Sequence, residues 1–313
     1  MTNPKVLLLK LLISFLIILN LLKILDLNSL ITVLKNISLP IYFFAMVNIF
    51  FATFVVNTFK WKYILKKFSI SEKFSRLFRL NLFSNLFTVF SLGQLTGEIA
   101  KSYRFTRNKK DKSIYLITIF LDRLSGLLIL GLFVTIYFFS PLRNQEISKL
   151  VFLLFSISIF TIFLLLKKET WITLLGKLRF ALGSRAKRFT FLPKLQKSFE
   201  RISDFEFLWL NIILISFIFH LIATFSIWLI GMALGVNLDF FQLIWIYAFV
   251  SILLLVPITI GGLGLRESGF IFFLGLLGIK AEVAVSLSIL LFASQFFFAI
   301  IGGLVELTNK NSD

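Results

Sequence analysis

Five ionisable residues sit inside stretches that are otherwise apolar: Glu98, Asp122, Arg123, Arg266 and Glu267. An ionisable side chain in hydrocarbon costs roughly 2.5–3.5 kcal/mol on insertion scales, so it persists where it is paired or lines a wet cavity. The five carry two positive charges against three negative, so near-complete internal pairing is open to them. Asp122 and Arg123 lie about 13–15 Å into one apolar run at helical rise. Successive residues on a helix point about 100° apart. The two therefore do not simply satisfy each other, and Arg123 is expected to meet Glu98 or Glu267. Read as a substrate-binding set, the arginines suit a phosphate, which guanidinium groups grip through paired hydrogen bonds. The acids would then hold the arginines or an ammonium group. A structural reading stands beside it: a buried ion-pair network that ties two halves of the chain together.

The elements holding these residues read as membrane elements. Of 313 residues, 58% are hydrophobic and 15% charged, with a mean hydropathy of +0.95. That excludes an ordinary soluble globule and a disordered chain. Long unbroken apolar runs exclude an outer-membrane barrel. The fold class is an all-α polytopic membrane protein. Six runs read as full spans: Val6–Leu25, Ile41–Phe59, Ile114–Phe139, Leu150–Leu166, Phe207–Leu234 and Val283–Leu304. Two stretches do not fit one clean span. Leu80–Ile99 carries Asn81, Asn85, Gln94 and Glu98 with a break at Ser91–Gly97. Leu243–Ile279 is cut by Pro257, Gly261, Gly262 and Gly264 into halves too short to cross alone.

Charge placement gives these stretches a topology. The net charge is +18, but the basic residues sit between apolar runs, which points to anionic head groups rather than nucleic acid. Lys60–Arg79, Lys101–Lys112 and Lys167–Arg201 hold seven, six and ten basic residues, whereas the remaining connections together hold four. The rich segments are expected in the cytoplasm. Both flanks of Leu80–Ile99 then lie on one side, so it enters and returns as a re-entrant hairpin. Leu243–Ile279 becomes a second hairpin of opposite sense. The order is span, span, hairpin, span, then the same again inverted, with both termini cytoplasmic. This makes one integral membrane domain with repeat halves at about residues 1–140 and 150–305, a plan that puts a binding site at the midplane. Half-helices are expected to start near Glu98 and Ser268 and to aim their N-termini at an anion. Lys60–Arg79 and Lys167–Leu182 also show apolar residues at helical spacing among the basic ones, as helices lying in the interface would.

Absent motifs narrow the chemistry. There is no Cys, hence no disulfide, iron–sulfur cluster or thiol nucleophile. P-loop, HExxH and GxSxG patterns are missing. His220 is the one histidine and cannot build a metal site; it and Gln295 read as helix–helix hydrogen-bonding residues. Asn48, Asn57 and Asn211 read as packing or interfacial. No catalytic residue, cofactor or metal is expected.

Three segments together resemble a known family. LGQLTGEIAKSYR (Leu92–Arg104), LDRLSG (Leu121–Gly126) and VPITIGGLGLRESG (Val256–Gly269) are similar to the flippase-like, lysylphosphatidylglycerol-synthase transmembrane family, over about Val6 to Leu304. The third motif is the most specific. In the first, this chain has Ser91-Leu92-Gly93 where the family often carries a Pro before Gly-Glu. The family includes the membrane half of the bacterial multiple peptide resistance factor, which translocates aminoacylated phosphatidylglycerol between leaflets. It also includes stand-alone members linked to polyprenyl lipids, glycolipids or hopanoids. The cytosolic aminoacyl-transferring domain of that factor has no counterpart here, so the resemblance does not imply synthase activity.

The function expected is a lipid translocase of the plasma (inner) membrane, not an enzyme, moving a polar lipid that is anionic, aminoacylated or polyprenyl. Two other readings compete. One is an assembly subunit docking a cytosolic lipid-modifying or glycosyl-transferring enzyme through its basic loops. The other is a transferase acting on a lipid phosphate with Glu98 or Glu267 as base. The partners considered are membrane lipids with anionic head groups, a cytosolic enzyme and a second copy of the chain as homodimer.

Overall fold

The computed structural model describes residues 4–90, 94–107, 113–140, 145–166, 169–170, 172–173, 176–177, 204–256 and 258–308. Among them every regular element is helical. Apolar runs free of internal polar breaks leave the backbone to satisfy itself within each segment, which only a helix does in lipid.

In chain order the helices are α1 (Pro4–Ile24), α2 (Leu27–Lys35), α3 (Leu39–Lys67), α4 (Phe74–Phe90), α5 (Gln94–Thr106), α6 (Ser113–Val134), α7 (Gln145–Leu166), α8 (Phe205–Ala233), α9 (Phe240–Leu253), α10 (Leu265–Leu276) and α11 (Ala281–Thr308). A 3₁₀ turn, Thr135–Phe139, extends α6. Helices α3, α6 with its extension, α7, α8 and α11 are long and apolar enough to cross a bilayer. They correspond to five of the six expected spans.

The sixth expected run, Val6–Leu25, is the helix α1, and just beyond it the chain bends by 89° into α2. Asp26 sets the corner. Its carboxylate accepts from the Asn28 backbone N–H at 3.0 Å and from Ser29 Oγ at 2.5 Å, starting a new helix. Helix α2 then packs on α11.

The two irregular stretches are antiparallel helical hairpins. In α4–α5, Thr96 Oγ1 donates to the Phe87 carbonyl at 3.2 Å and Lys101 Nζ to Asn81 Oδ1 at 3.2 Å. Gly97 lets the arms close, because a Cβ there would collide with Thr88 Oγ1 and lie 2.6 Å from the Ser84 carbonyl oxygen. In α9–α10, Phe273 stacks on Phe249 at 5.1 Å and meets Trp245 edge-on at 5.7 Å. Arms of 14 and 12 residues reach about 21 and 18 Å, short of a bilayer's roughly 30 Å. The hairpins approach each other at Gly261, which has φ +59° and would place a Cβ 3.0 Å from the Val89 carbonyl oxygen at the end of α4. Residues 91–93 and Pro257 lie outside the described residues.

The packing crosses between the halves. Helix α4 lies along α11, α9 lies along α6, and α3 lies along α8. The main apolar core gathers Tyr137, Trp245, Phe249, Phe273 and Leu287, with Phe54 and Phe298 toward α4.

One expected interfacial helix is absent. Residues 57–67 continue α3 rather than lying in the interface, and residues 74–79 begin α4. Trp61, Ile64 and Leu65 are buried, with Trp61 against Phe105 at 5.0 Å and Ile64 beside Ile117 and Trp209. Helical spacing of apolar residues marks a buried face equally well whether lipid or protein covers it. Residues Phe51–Val56 form a π-helical turn within α3. Such a turn adds a residue to the ladder and rotates all that follows by about 100°. The second expected interfacial helix, Lys167–Leu182, lies outside the described residues but for a few isolated positions.

Candidate functional site: two buried ion networks

The first network joins α3, α4, α5, α6 and α8. Glu98 on α5 accepts from Arg123 on α6 through Oε1, and its Oε2 faces Lys101 Nζ at 2.8 Å. Asp122 Oδ1 pairs with Lys60 Nζ at 2.9 Å. Lys60 also donates to the Asp122 carbonyl at 3.2 Å and to Ser216 Oγ at 3.1 Å, and Ser216 donates to Ser125 Oγ at 2.9 Å. Asn81 on α4 accepts from Lys101 and donates to Thr58 Oγ1 at 2.7 Å. Trp61 lies under the Lys101 ammonium, 4.6 Å from Nζ to ring centroid. Asp122 and Arg123 thus find separate partners, as their angular separation requires. Arg123 Nε is 3.9 Å from Asp122 Oδ2, beyond hydrogen-bond reach.

The second network joins α10 and α11. Arg266 donates from Nε to Ser288 Oγ at 2.8 Å, from one terminal nitrogen to Gln295 Oε1 at 3.4 Å and from the other to Glu267 Oε1 at 3.2 Å. Its guanidinium lies 5.2 Å from the Phe292 ring centroid. Ser288 also donates to Glu267 Oε1 at 2.6 Å. The other Glu267 oxygen accepts the Gly264 N–H at 2.6 Å. Helix α10 starts at Leu265 and α5 at Gln94, so Ser268 and Glu98 lie a turn inside their helices rather than at the tips. Glu267, in the first turn of α10, accepts the N–H of the residue before the helix, Gly264, so that donor is taken from within the helix.

The expected residues therefore fall into two groups. Glu98, Asp122 and Arg123 come together; Arg266 and Glu267 form a separate set, and no contact joins Arg123 to Arg266 or Glu267 among the described residues. Both groups are tied to α4 one turn apart. Asn81 holds Lys101, and Asn85 donates to the Gln295 carbonyl at 3.1 Å. Exposure separates the two arginines: 43% of the Arg123 side chain is exposed and 5% of that of Arg266.

Two members escaped the sequence reading. Lys60 and Lys101 stood at the borders of segments expected to be cytoplasmic loops, yet both are buried. A signal existed for Lys101, which lies three residues after Glu98 and so on the same helix face. Lys60 follows the run Ile41–Phe59 with no turn residue between, which permits continuation of the helix but does not say which way the side chain faces.

His220 does what its setting suggested. Its Nδ1 is 2.8 Å from Tyr247 OH, linking α8 to α9. Asn211 likewise bonds Tyr63 OH at 3.0 Å between α8 and α3. Among the described residues no group of His, Cys, Asp or Glu is arranged to hold a metal ion.

Apolar spans, short-armed hairpins and ion pairs sequestered between them define a polytopic α-helical membrane protein. The chain belongs to the lysylphosphatidylglycerol synthase TM region family, whose profile matches residues 7–303. No curated protein and no solved structure matches it. Family and spans together point to a membrane protein of lipid metabolism or transport.

Proposed function

We propose that this protein moves a polar lipid from one leaflet of the membrane to the other. The observation that carries the reading is the first network, where three cations and two acids from three helices meet inside the helix bundle, with Asn81 and Ser216 from two more. A charge set of this kind is costly in hydrocarbon and marks a polar path by default. The recurrence of span, hairpin and span in each half supports an inverted repeat, with hairpins entering from opposite faces and termini in the cytoplasm. The matching Gly-to-Glu segments Gly93–Glu98 and Gly262–Glu267 agree with it. In this mechanism Arg123 exchanges part of its contact with Glu98 for the head group. Lys101 keeps Glu98 paired, and Lys60 keeps Asp122 paired, so no acid is stranded while the head group passes. Arg266, with its donors taken by Ser288, Gln295 and Glu267, acts as a brace between the second hairpin and α11.

The test is reconstitution into liposomes holding head-group-labelled lipids, with leaflet exchange followed by a membrane-impermeant quencher. Faster exchange with protein than without supports the reading, and equal exchange overturns it.

A further inference from the structure

We infer that Arg123 is the head-group contact of a lateral lipid site on the α5–α6 face, and that this site takes a lipid whose phosphodiester leaves it with one net negative charge. The inference rests on the translocase reading and narrows its substrate. Three observations carry it.

The first is the charge count. Lys60, Lys101 and Arg123 oppose Glu98 and Asp122, leaving one positive charge over. An uncompensated charge at depth is costly, and a single anion removes the cost.

The second is which atoms remain available. Three of the four carboxylate oxygens face a cation at close range: Glu98 Oε1 and Oε2 face Arg123 and Lys101, and Asp122 Oδ1 faces Lys60. Each acid is thus already neutralised by a cation of the chain, which leaves neither as an unpaired charge for the ammonium of an aminoacylated lipid. Arg123, by contrast, uses one terminal nitrogen on Glu98, and its other terminal nitrogen has no partner among the described residues. That nitrogen and the exposed edge of the guanidinium suit phosphate oxygens.

The third is where Arg123 emerges. On α6, Leu116, Phe120, Arg123 and Leu127 recur at steps of four, three and four, making one exposed stripe. On α5, Ile99 follows Glu98 and with Tyr103 forms a second exposed stripe beside the Glu98–Arg123 contact. A cation set in an apolar face opening sideways matches an amphiphile, chains against the leucines and phenylalanine and phosphate at the guanidinium. A free soluble anion would gain nothing from those apolar neighbours.

The test is native mass spectrometry of the purified full chain, delipidated in mild detergent and offered phosphatidylglycerol, phosphatidylcholine, lysylated phosphatidylglycerol or inorganic phosphate. Phosphatidylglycerol is expected to be retained preferentially. Arg123→Gln should lower its retention about tenfold, the scale of one charge-assisted contact. Phe120→Asp, which leaves the ion network intact but sets an acid on the same stripe, should do the same, guarding against loss of fold in the first variant. Equal retention of all three lipids, stronger retention of the lysylated form, or no effect of either folded variant overturns the inference. Displacement of phosphatidylglycerol by inorganic phosphate at matched concentration also overturns it, by assigning the site to a soluble anion. Leaflet exchange measured on the same preparations separates the two claims. Preferential retention without exchange sinks the translocase reading alone, and exchange without preference for the anionic lipid sinks this inference alone.

Discussion

Lys60 Nζ and Asp122 Oδ1 stand 2.9 Å apart in the interior, joining the end of the long α3 to the middle of α6. Lys60 also reaches Ser216 on α8, so one ammonium ties three helices. Removing one member of such a buried pair strands the other charge, at a typical cost of about 3–5 kcal/mol, whereas removing both together costs far less. Lys60→Met and Asp122→Asn should each lower thermal stability in detergent sharply, and the double variant should recover much of the loss. A double-mutant cycle checks this; strictly additive losses would contradict the pairing.

The two arginines should separate by phenotype. Arg266 braces α10 against α11 with its donors engaged, so Arg266→Ala leaves Glu267 and Ser288 short of a partner and should lower stability by about 3 kcal/mol or more. Arg123→Ala should retain the fold better, because Lys101 still pairs Glu98, while losing lipid exchange. Melting curves beside exchange rates decide it, and equal destabilisation by both substitutions would count against the division of roles.

Gly97→Ala should cost about 1–3 kcal/mol, the usual penalty of overpacking, by pushing α5 off α4 at Ser84 and Thr88. Gly275→Ala serves as its partner experiment. A Cβ there meets nothing within 4 Å, and replacing a helical Gly by Ala typically gains roughly 0.5–1 kcal/mol. The opposite ordering of melting temperatures would mean that the hairpin arms are not in contact.

Topology can be read with thiols, since the chain has no Cys. Lys280→Cys, in the turn between α10 and α11, should react with an impermeant maleimide in sealed cells. Lys73→Cys, just before α4, should react only after the bilayer is opened. Protection of position 280 in sealed cells would remove the opposed orientation of the hairpins.

The apolar runs, their lengths and their breaks were legible in the residues because hydrogen bonding in lipid leaves so few options for a backbone. Each of the six expected spans falls on one helix, Val6–Leu25 on α1 included, and both broken stretches are helical hairpins. The residues do not show the sharp bend from α1 into α2, because Asp26 and Ser29 look like ordinary polar loop residues until their capping contacts exist. The Arg123–Glu98 contact was one of two pairings expected; the expectation that Glu267 and Arg266 would share a site with them did not match the packing, which turns that pair toward Ser288 and Gln295.

Sequence by itself therefore determined the class of molecule, the positions of its helices and which charges had to find shelter. The tertiary structure decided who shelters whom. Lys60 reads as loop charge in one dimension, but α3 runs on through a π turn, and its side chain turns inward to Asp122. The reason is geometric: hydropathy is a property of a segment, whereas an ion pair depends on the rotation of one helix against another, which packing alone sets.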